Sequence, residues 1–266
     1  MTLPASPGIS ATRRQFVLAG LAGLLAPASL RNAALAAGHA VPARYAYVGT
    51  YTLGAPGGDS GAKSDGLYVL QVDLVTGALS IIQTVRSVNP SFVCLDPAQR
   101  HLYVIVETDD YDGQKQGAIE SYRIDADSGK LTFLNRIGSG GHWPADLEVE
   151  PSSRFVIVGN YGGGNYVVAP IAADGSLKPL SHVYQNKGSG PNAQRQEAPH
   201  PHSVEYDPPG RYIATTELGI DKVQVFSLDT SERKLVLVSE ASVAPGAGRA
   251  TSRSTRAVPT CMSSTS

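Results

Sequence analysis

Along most of the chain, apolar and polar residues alternate in short runs, each closed by Gly, Pro or Asp. The runs recur in a fixed order. Three segments align: Phe92–Val104, Leu147–Val158 and Val204–Ile213. Each reads as a short strand, an acidic residue followed by Pro, an Arg and a second apolar strand. The arginines fall at 100, 154 and 211, spacings of 54 and 57. A third strand, a turn built on Asp or Gly and a fourth strand follow each segment: Gly117–Ile124 and Leu131–Ile137, Tyr166–Ile171 and Leu177–Tyr184, Val223–Leu228 and Leu235–Val243. The stretch before them supplies three such strands, Tyr45–Tyr51, Leu67–Asp73 and Leu79–Val85. This predicts an all-β chain, a β-propeller of four-stranded blades at about 44–86, 90–138, 145–185 and 202–244. A sandwich has no reason to repeat its acidic-Pro-Arg turn three times.

The first repeat has only three strands, and the strand that would complete it is expected near the C-terminus. From Gly248 onward the pattern stops. Arg249–Arg256 has no apolar periodicity, and the end is rich in Ser and Thr. Disorder is the plain reading of 249–266. A second reading uses the genetic code. With permitted codons for the last nineteen residues, another frame reads Pro-Arg-His-Phe-Ala-Phe-His-Pro-Ser-Arg-Pro-Tyr-Leu-Tyr-Val, the blade repeat again where the next one is due. The expectation is a frameshift product that replaces the remaining blades, to be decided by resequencing the locus.

Composition adds limits. Hydrophobic residues make up 42% and charged residues 17%, enough apolar material for a core, and 28 Gly with 18 Pro suit many tight turns. A formal charge of −1 without a basic block after the N-terminal region disfavours a nucleic-acid partner. Cys94 and Cys261 are far apart, Cys94 reads as a buried strand residue, and no disulfide is expected. Arg13-Arg14 precede an apolar run, Phe16–Leu30, and then Ala34-Leu35-Ala36, the order of a twin-arginine signal peptide over 1–36. The run is short and rich in Gly and Ala, so a membrane anchor is disfavoured. The mature domain is expected over 37–248, periplasmic or secreted, with no membrane association after cleavage.

Several blocks carry a family resemblance: Tyr47–Thr52, Asn89–Phe92, Asn160–Gly164, and Glu197–Val204 followed by Leu218–Val223. Over roughly 44–248 the chain resembles the lactonase family of seven-bladed propellers, the 6-phosphogluconolactonase-like proteins, which also include carboxymuconate-cyclising enzymes. The resemblance implies about four of an expected seven blades. It also implies hydrolysis of a sugar or carboxylated lactone, or related ring chemistry, without a cofactor. In the cyclising relatives a His, two Arg and a Glu line the central site. Arg195 and Glu217 match two of those positions. The His position, in a Pro-x-His block, is Asp146 here, and the second Arg would lie in the other frame.

Opening a lactone needs a base or activated water and donors for the oxyanion. Arg195 can grip a carboxylate or phosphate through two parallel bonds, and His202 or Glu217 can carry the proton. His200, Asp146 and Asn160 complete the candidate set as substrate-binding residues. His200 and His202 alternate, so they should share a face, whether for chemistry or only to orient the loop. A metal at His-x-His lacks an evident third ligand. The alternative role for Glu217 is to cap a neighbouring turn. Gly162–Gly164 reads as a hairpin turn, since no helix follows it. Asp109, Asp110 and Asp112 read as a solvated loop rather than a Ca²⁺ site.

The leading expectation is therefore an exported lactonase acting on a small lactone or sugar acid, monomeric if the ring is complete. A phosphorylated cytosolic lactone suits an exported enzyme poorly. The alternatives are a non-catalytic propeller that binds a sugar acid or protein partner, and a chain left inactive by missing blades.

Overall fold

The computed structural model describes residues 44–54 and 62–248. The twin-arginine segment at 1–36 and the tail at 249–266, with Cys261, lie outside them. The described residues form fifteen strands in four antiparallel sheets. Blade 1 holds β1 (Arg44–Val48), β2 (Gly66–Val72) and β3 (Leu79–Arg86). Blade 2 holds β4 (Val93–Leu95), β5 (His101–Val106), β6 (Ala118–Ile124) and β7 (Leu131–Gly138). Blade 3 holds β8 (Pro144–Val149), β9 (Phe155–Asn160), β10 (Asn165–Pro170) and β11 (His182–Gln185). Blade 4 holds β12 (Pro201–Tyr206), β13 (Ile213–Glu217), β14 (Lys222–Asp229) and β15 (Lys234–Ser242). In each, strands pair in chain order. The register Val48↔Tyr68 in blade 1 corresponds to Val104↔Glu120 in blade 2, so β1 is a second strand. The strand missing from blade 1, among the described residues, is the first, inner one.

The acidic-Pro turns explain why the repeat is visible in sequence. Asp96 Oδ1 accepts the N–H groups of Arg100 (2.6 Å) and His101 (3.0 Å), and Asp207 Oδ1 accepts those of Arg211 (2.6 Å) and Tyr212 (2.8 Å). Glu150 accepts that of Arg154. The residue three positions after each acid has positive φ: Gln99 (54°), Ser153 (58°) and Gly210 (71°). The carboxylate thus satisfies backbone donors that a left-handed corner leaves free.

The core lies between successive blades. Leu67, Val69, Leu102, Val104 and Tyr122 join blades 1 and 2. Tyr103, Ile105, Leu147, Val158 and Val167 join blades 2 and 3, and Ile157, Tyr166, Val204, Ile213 and Phe226 join blades 3 and 4. Each such side chain contributes roughly 1.5–3 kcal/mol on burial. Side-chain amides add outer ties. Gln83 bonds both the N–H (2.7 Å) and the carbonyl (2.9 Å) of Leu131 in the next blade. Asn135 does the same to Leu177, at 2.9 and 2.8 Å.

That second tie corrects the reading of Leu177–Tyr184 as one strand. Leu177 meets Ile171 only in an isolated bridge, and regular pairing begins at His182. Asn135 occupies Leu177's backbone groups, and Pro179 has no N–H to give a ladder. Cys94 lies on β4, the strand expected for it, but is half-buried rather than buried, and its thiol is free. Burial pushes its thiol up to about 12, with Glu148 next in effect.

Candidate functional site at the loop end of the inner strands

Glu107, Tyr161 and Leu218 follow directly on the second strands of blades 2 to 4. Each donates its N–H to the residue that leads into the inner strand of the same blade: Asn89 (3.0 Å), Trp143 (2.8 Å) and His200 (3.0 Å). Asn89 and Trp143 reach this contact in the left-handed region, at φ 41° and 51°. Inner and second strands are therefore cinched at one end of blades 2 to 4. There the Asn89-Pro90-Ser91, Trp143-Pro144-Ala145 and His200-Pro201-His202 segments occupy equivalent places. The ladder slips beside Ala145 and beside His202. A bulge of this kind re-aims the side chain it displaces.

His200 and His202 both meet the ring of Tyr161, which projects from the third blade. Tyr161 stacks on His200 (centroids 4.3 Å apart, planes 13° apart) and faces His202 edge-on at 5.9 Å. His200 is buried, with Nδ1 3.0 Å from the Tyr161 carbonyl and Nε2 3.1 Å from Glu197 Oε1. Both neighbours are acceptors, so only a doubly protonated ring donates to both. His142 lies nearby, edge-on to Trp143 at 5.0 Å. Its ring covers Gly162 so closely that a Cβ there would sit 2.4 Å from it. Burial first, then Lys115 and His200, hold the His142 pKa below its usual value, against Asp109.

The remaining candidates are placed differently. Arg195 is exposed, on a loop anchored by Gln196, whose Nε2 donates to the Leu218 carbonyl at 2.9 Å. Glu217 is fully buried. Its carboxylate accepts the N–H of His200 and that of Ile220 (3.0 Å), closing the 217–220 turn onto the approach to β12. Burial raises its pKa to about 7, against the pull of those N–H groups. Asn160 is also fully buried. Its Nδ2 donates to the Ser139 carbonyl (2.8 Å) and Asn165 Oδ1 (2.7 Å), while its own Oδ1 has no partner. Asp146 accepts the Leu147 and Val204 N–H groups, at 2.8 and 2.9 Å, and burial raises its pKa to about 7. Glu148, on the same inner strand, is also lifted to about 7, by burial and then by Asp146 and Glu205.

The structure therefore brings together His200, His202 and Glu217, the last through the His200 backbone. Asp146 and Asn160 sit on either side of the β8–β9 ladder. Gly162–Gly164 form the turn joining β9 to β10, and Asp109, Asp110 and Asp112 are exposed on the loop after β5. Among the described residues, no three His, Cys, Asp or Glu side chains converge in a metal-binding arrangement.

The sequence profile of the Lactonase family, 7-bladed β-propellers, matches residues 45–249. The chain belongs to this family. It is similar to the 6-phosphogluconolactonase of Bacillus subtilis, with 35% identity over 203 residues, covering 76% of this chain and 54% of that protein. A 6-phosphogluconolactonase of Formosa agariphila is 28% identical over 206 residues, covering 76% and 56%. Among solved structures, the periplasmic gluconolactonase of Pseudomonas aeruginosa superposes with a TM-score of 0.65 at 31% identity, covering 77% of this chain and 56% of that one. The chain thus spans about half the length of the curated relatives it matches.

Seen within the lactonase family, the sequence reading missed three side chains at this end: Tyr161, His142 and Glu107. Tyr161 lay inside the Asn160–Gly164 block, and its equivalence to Tyr51 in Tyr47–Thr52 was the available signal. His142 stands beside the Pro144–Asp146 segment. Glu107 closes the second strand of blade 2, and nothing local sets it apart from the other carboxylates.

Proposed function

We propose that this chain is the four-blade part of an exported lactone hydrolase acting on a sugar lactone. The observation that carries the reading is the assembly of His200 and His202 on Tyr161, at the loop end of the inner strands, in a member of the lactonase family. His202, partly exposed at a bulge, is the candidate proton carrier. Arg195, exposed on its anchored loop, is the candidate grip for a carboxylate or hydroxyl-rich tail of the substrate. Glu217, Asp146 and Asn160 serve this site by holding its loops, since backbone groups already occupy them.

The twin-arginine pattern expected at 1–36 and the periplasmic gluconolactonase among the similar structures both favour an unphosphorylated sugar lactone. A tail whose permitted codons can continue the blade repeat in another frame, in a chain that spans about half the length of its curated relatives, supports a ring with further blades. The test is lactone opening, followed by pH-stat with δ-gluconolactone, on the purified chain and on a version with that frame restored. Opening by the restored protein that is lost in its His202→Ala variant supports the proposal. Failure of both to open δ-gluconolactone or a phosphorylated gluconolactone favours a non-catalytic sugar-acid binder.

A further inference from the structure

Two carboxylates stand at the ends of second strands, one residue apart in the repeat, and they face opposite ways. Counting from the repeat arginines, Glu217 shares its position with Val106 and Asn160, whereas Glu107 shares its position with Tyr161. All three residues of the first set are buried, Glu217 completely. Glu107 is only half-buried, at the place from which Tyr161 reaches His200 and His202. Because successive side chains of a strand point to opposite faces, this one-residue offset decides which carboxylate a substrate can meet.

The surroundings of Glu107 repeat the His202 arrangement one pair of blades away. Tyr51, the blade 1 counterpart of Tyr161, donates its hydroxyl to Glu107 Oε2 at 2.8 Å. Ser91, the counterpart of His202, lies beside them with its Oγ buried, and its hydroxyl acts on both the Glu107 carboxylate and the Tyr51 phenol. The Glu107 backbone is fixed on both sides, its N–H on the Asn89 carbonyl at 3.0 Å and its carbonyl on Asn89 Nδ2 at 3.2 Å. The carboxylate is thus held on rigid backbone, oriented by a phenol, next to the Ser91 hydroxyl and open to solvent on one side.

We infer that Glu107 is a catalytic carboxylate of the site, with Tyr51 as its positioning residue and Ser91 as an additional donor to the substrate. The inference rests on the lactone-hydrolase reading. Glu107 takes a proton from water as the water oxygen bonds to the lactone carbonyl carbon. The tetrahedral intermediate then expels the ring oxygen, which leaves with that proton after His202 has relayed it from Glu107. Lactone and water become the hydroxy acid, and Glu107 returns to its starting state. Burial holds its pKa above the usual carboxylate range, with Ser91 and the Tyr51 hydroxyl pulling it down, and Tyr51 is the titratable group that faces it. A base shifted upward in this way accepts a proton more readily near neutrality.

The test uses the chain itself, labelled with ¹³C at its Glu side chains and titrated with D-gluconate as the product probe, alongside pH-stat assays of δ-gluconolactone opening. The expected result is that gluconate shifts both the Glu107 carboxyl and the His202 ring signals. Where the chain opens the lactone, Glu107→Gln should lower the rate about 100-fold or more and abolish its acid limb. Tyr51→Phe should move that limb to a different pH with a smaller loss of rate. If gluconate shifts His202 but leaves Glu107 unmoved, or if Glu107→Gln keeps the rate and its pH profile, Glu107 is only a tie between blades 1 and 2 and the inference is wrong, with the lactonase reading intact. If gluconate shifts neither residue, in the chain or in the frame-restored version, the lactonase reading fails and takes the inference with it.

Discussion

Asp146 Oδ2 accepts the N–H of Val204 at 2.9 Å, so a carboxylate on the inner strand of blade 3 is bonded to the inner strand of blade 4. The contact is buried, and burial lifts the Asp146 pKa to about 7. Glu148 and Glu217 are lifted to about 7 as well, again chiefly by burial. A carboxyl that holds its proton more tightly when folded stabilises the fold fully below its unfolded pKa of about 4, and loses that contribution as pH rises to its folded pKa. Stability should therefore fall between about pH 4 and pH 7. Below pH 4 the turn carboxylates Asp73, Asp125, Asp174 and Asp229, whose pKa values are depressed by hydrogen bonds, act in the opposite sense. Urea unfolding across this range should show a maximum near pH 4–5, and Asp146→Asn should flatten the descent above it. An equally steep descent in the variant would remove Asp146 from the account.

Gly219 lies where the 217–220 turn presses on the approach to β12. A Cβ there would meet the Ala198 carbonyl oxygen at 1.9 Å and the His200 nitrogen at 2.7 Å, both backbone atoms that cannot swing aside. Gly219→Ala should destabilise the chain by about 1–3 kcal/mol, as overpacking does. It should also displace His200 from Tyr161. Thermal unfolding gives the first effect, and a change in the His200 ring signals gives the second.

Asn135 makes two hydrogen bonds to Leu177, one blade further on, while its Oδ1 also accepts the Ser121 hydroxyl at 2.7 Å. Each such bond has a net value near 1 kcal/mol, so Asn135→Ala should cost about 1–2 kcal/mol. The loss should be local at first: hydrogen exchange at Leu177 should accelerate while that of Val158 and Val167 in the blade core stays slow. Gln83→Ala should do the same to Leu131.

These cases show what a sequence can and cannot disclose in a repeat fold. The acidic-Pro-Arg turn was legible because its chemistry is local: Asp96 and Asp207 serve N–H groups only four and five residues ahead. The four-stranded blades followed from turns of that kind and from the apolar runs between them. The true extent of β11 was hidden because its cause, Asn135, lies 42 residues before Leu177. The site was legible by residue type but not by direction. Glu217 stood out by family resemblance, yet its carboxylate folds under its own turn. Glu107 passed unnoticed, although a shift of one residue gives it the outward face. His200 and His202 were expected to share a face, and both do touch Tyr161, although a bulge at His202 breaks the simple alternation that suggested it.

His200 and His202 should separate cleanly on substitution, because the structure uses them differently. His200 is buried, stacked on Tyr161 and placed between two acceptors, the Tyr161 carbonyl and Glu197, so its ring joins the third and fourth blades. Removing it leaves a cavity and an unpaired carbonyl, and His200→Ala should cost about 2–4 kcal/mol. His202 is partly exposed at a bulge, and its loss leaves the ladder intact. His202→Ala should change stability by less than about 1 kcal/mol while abolishing the response of the site to D-gluconate. Urea unfolding and gluconate titration on the two variants measure both effects. If His202→Ala unfolds as easily as His200→Ala, His202 is part of the scaffold and the proton carrier must be sought elsewhere at this end of the blades.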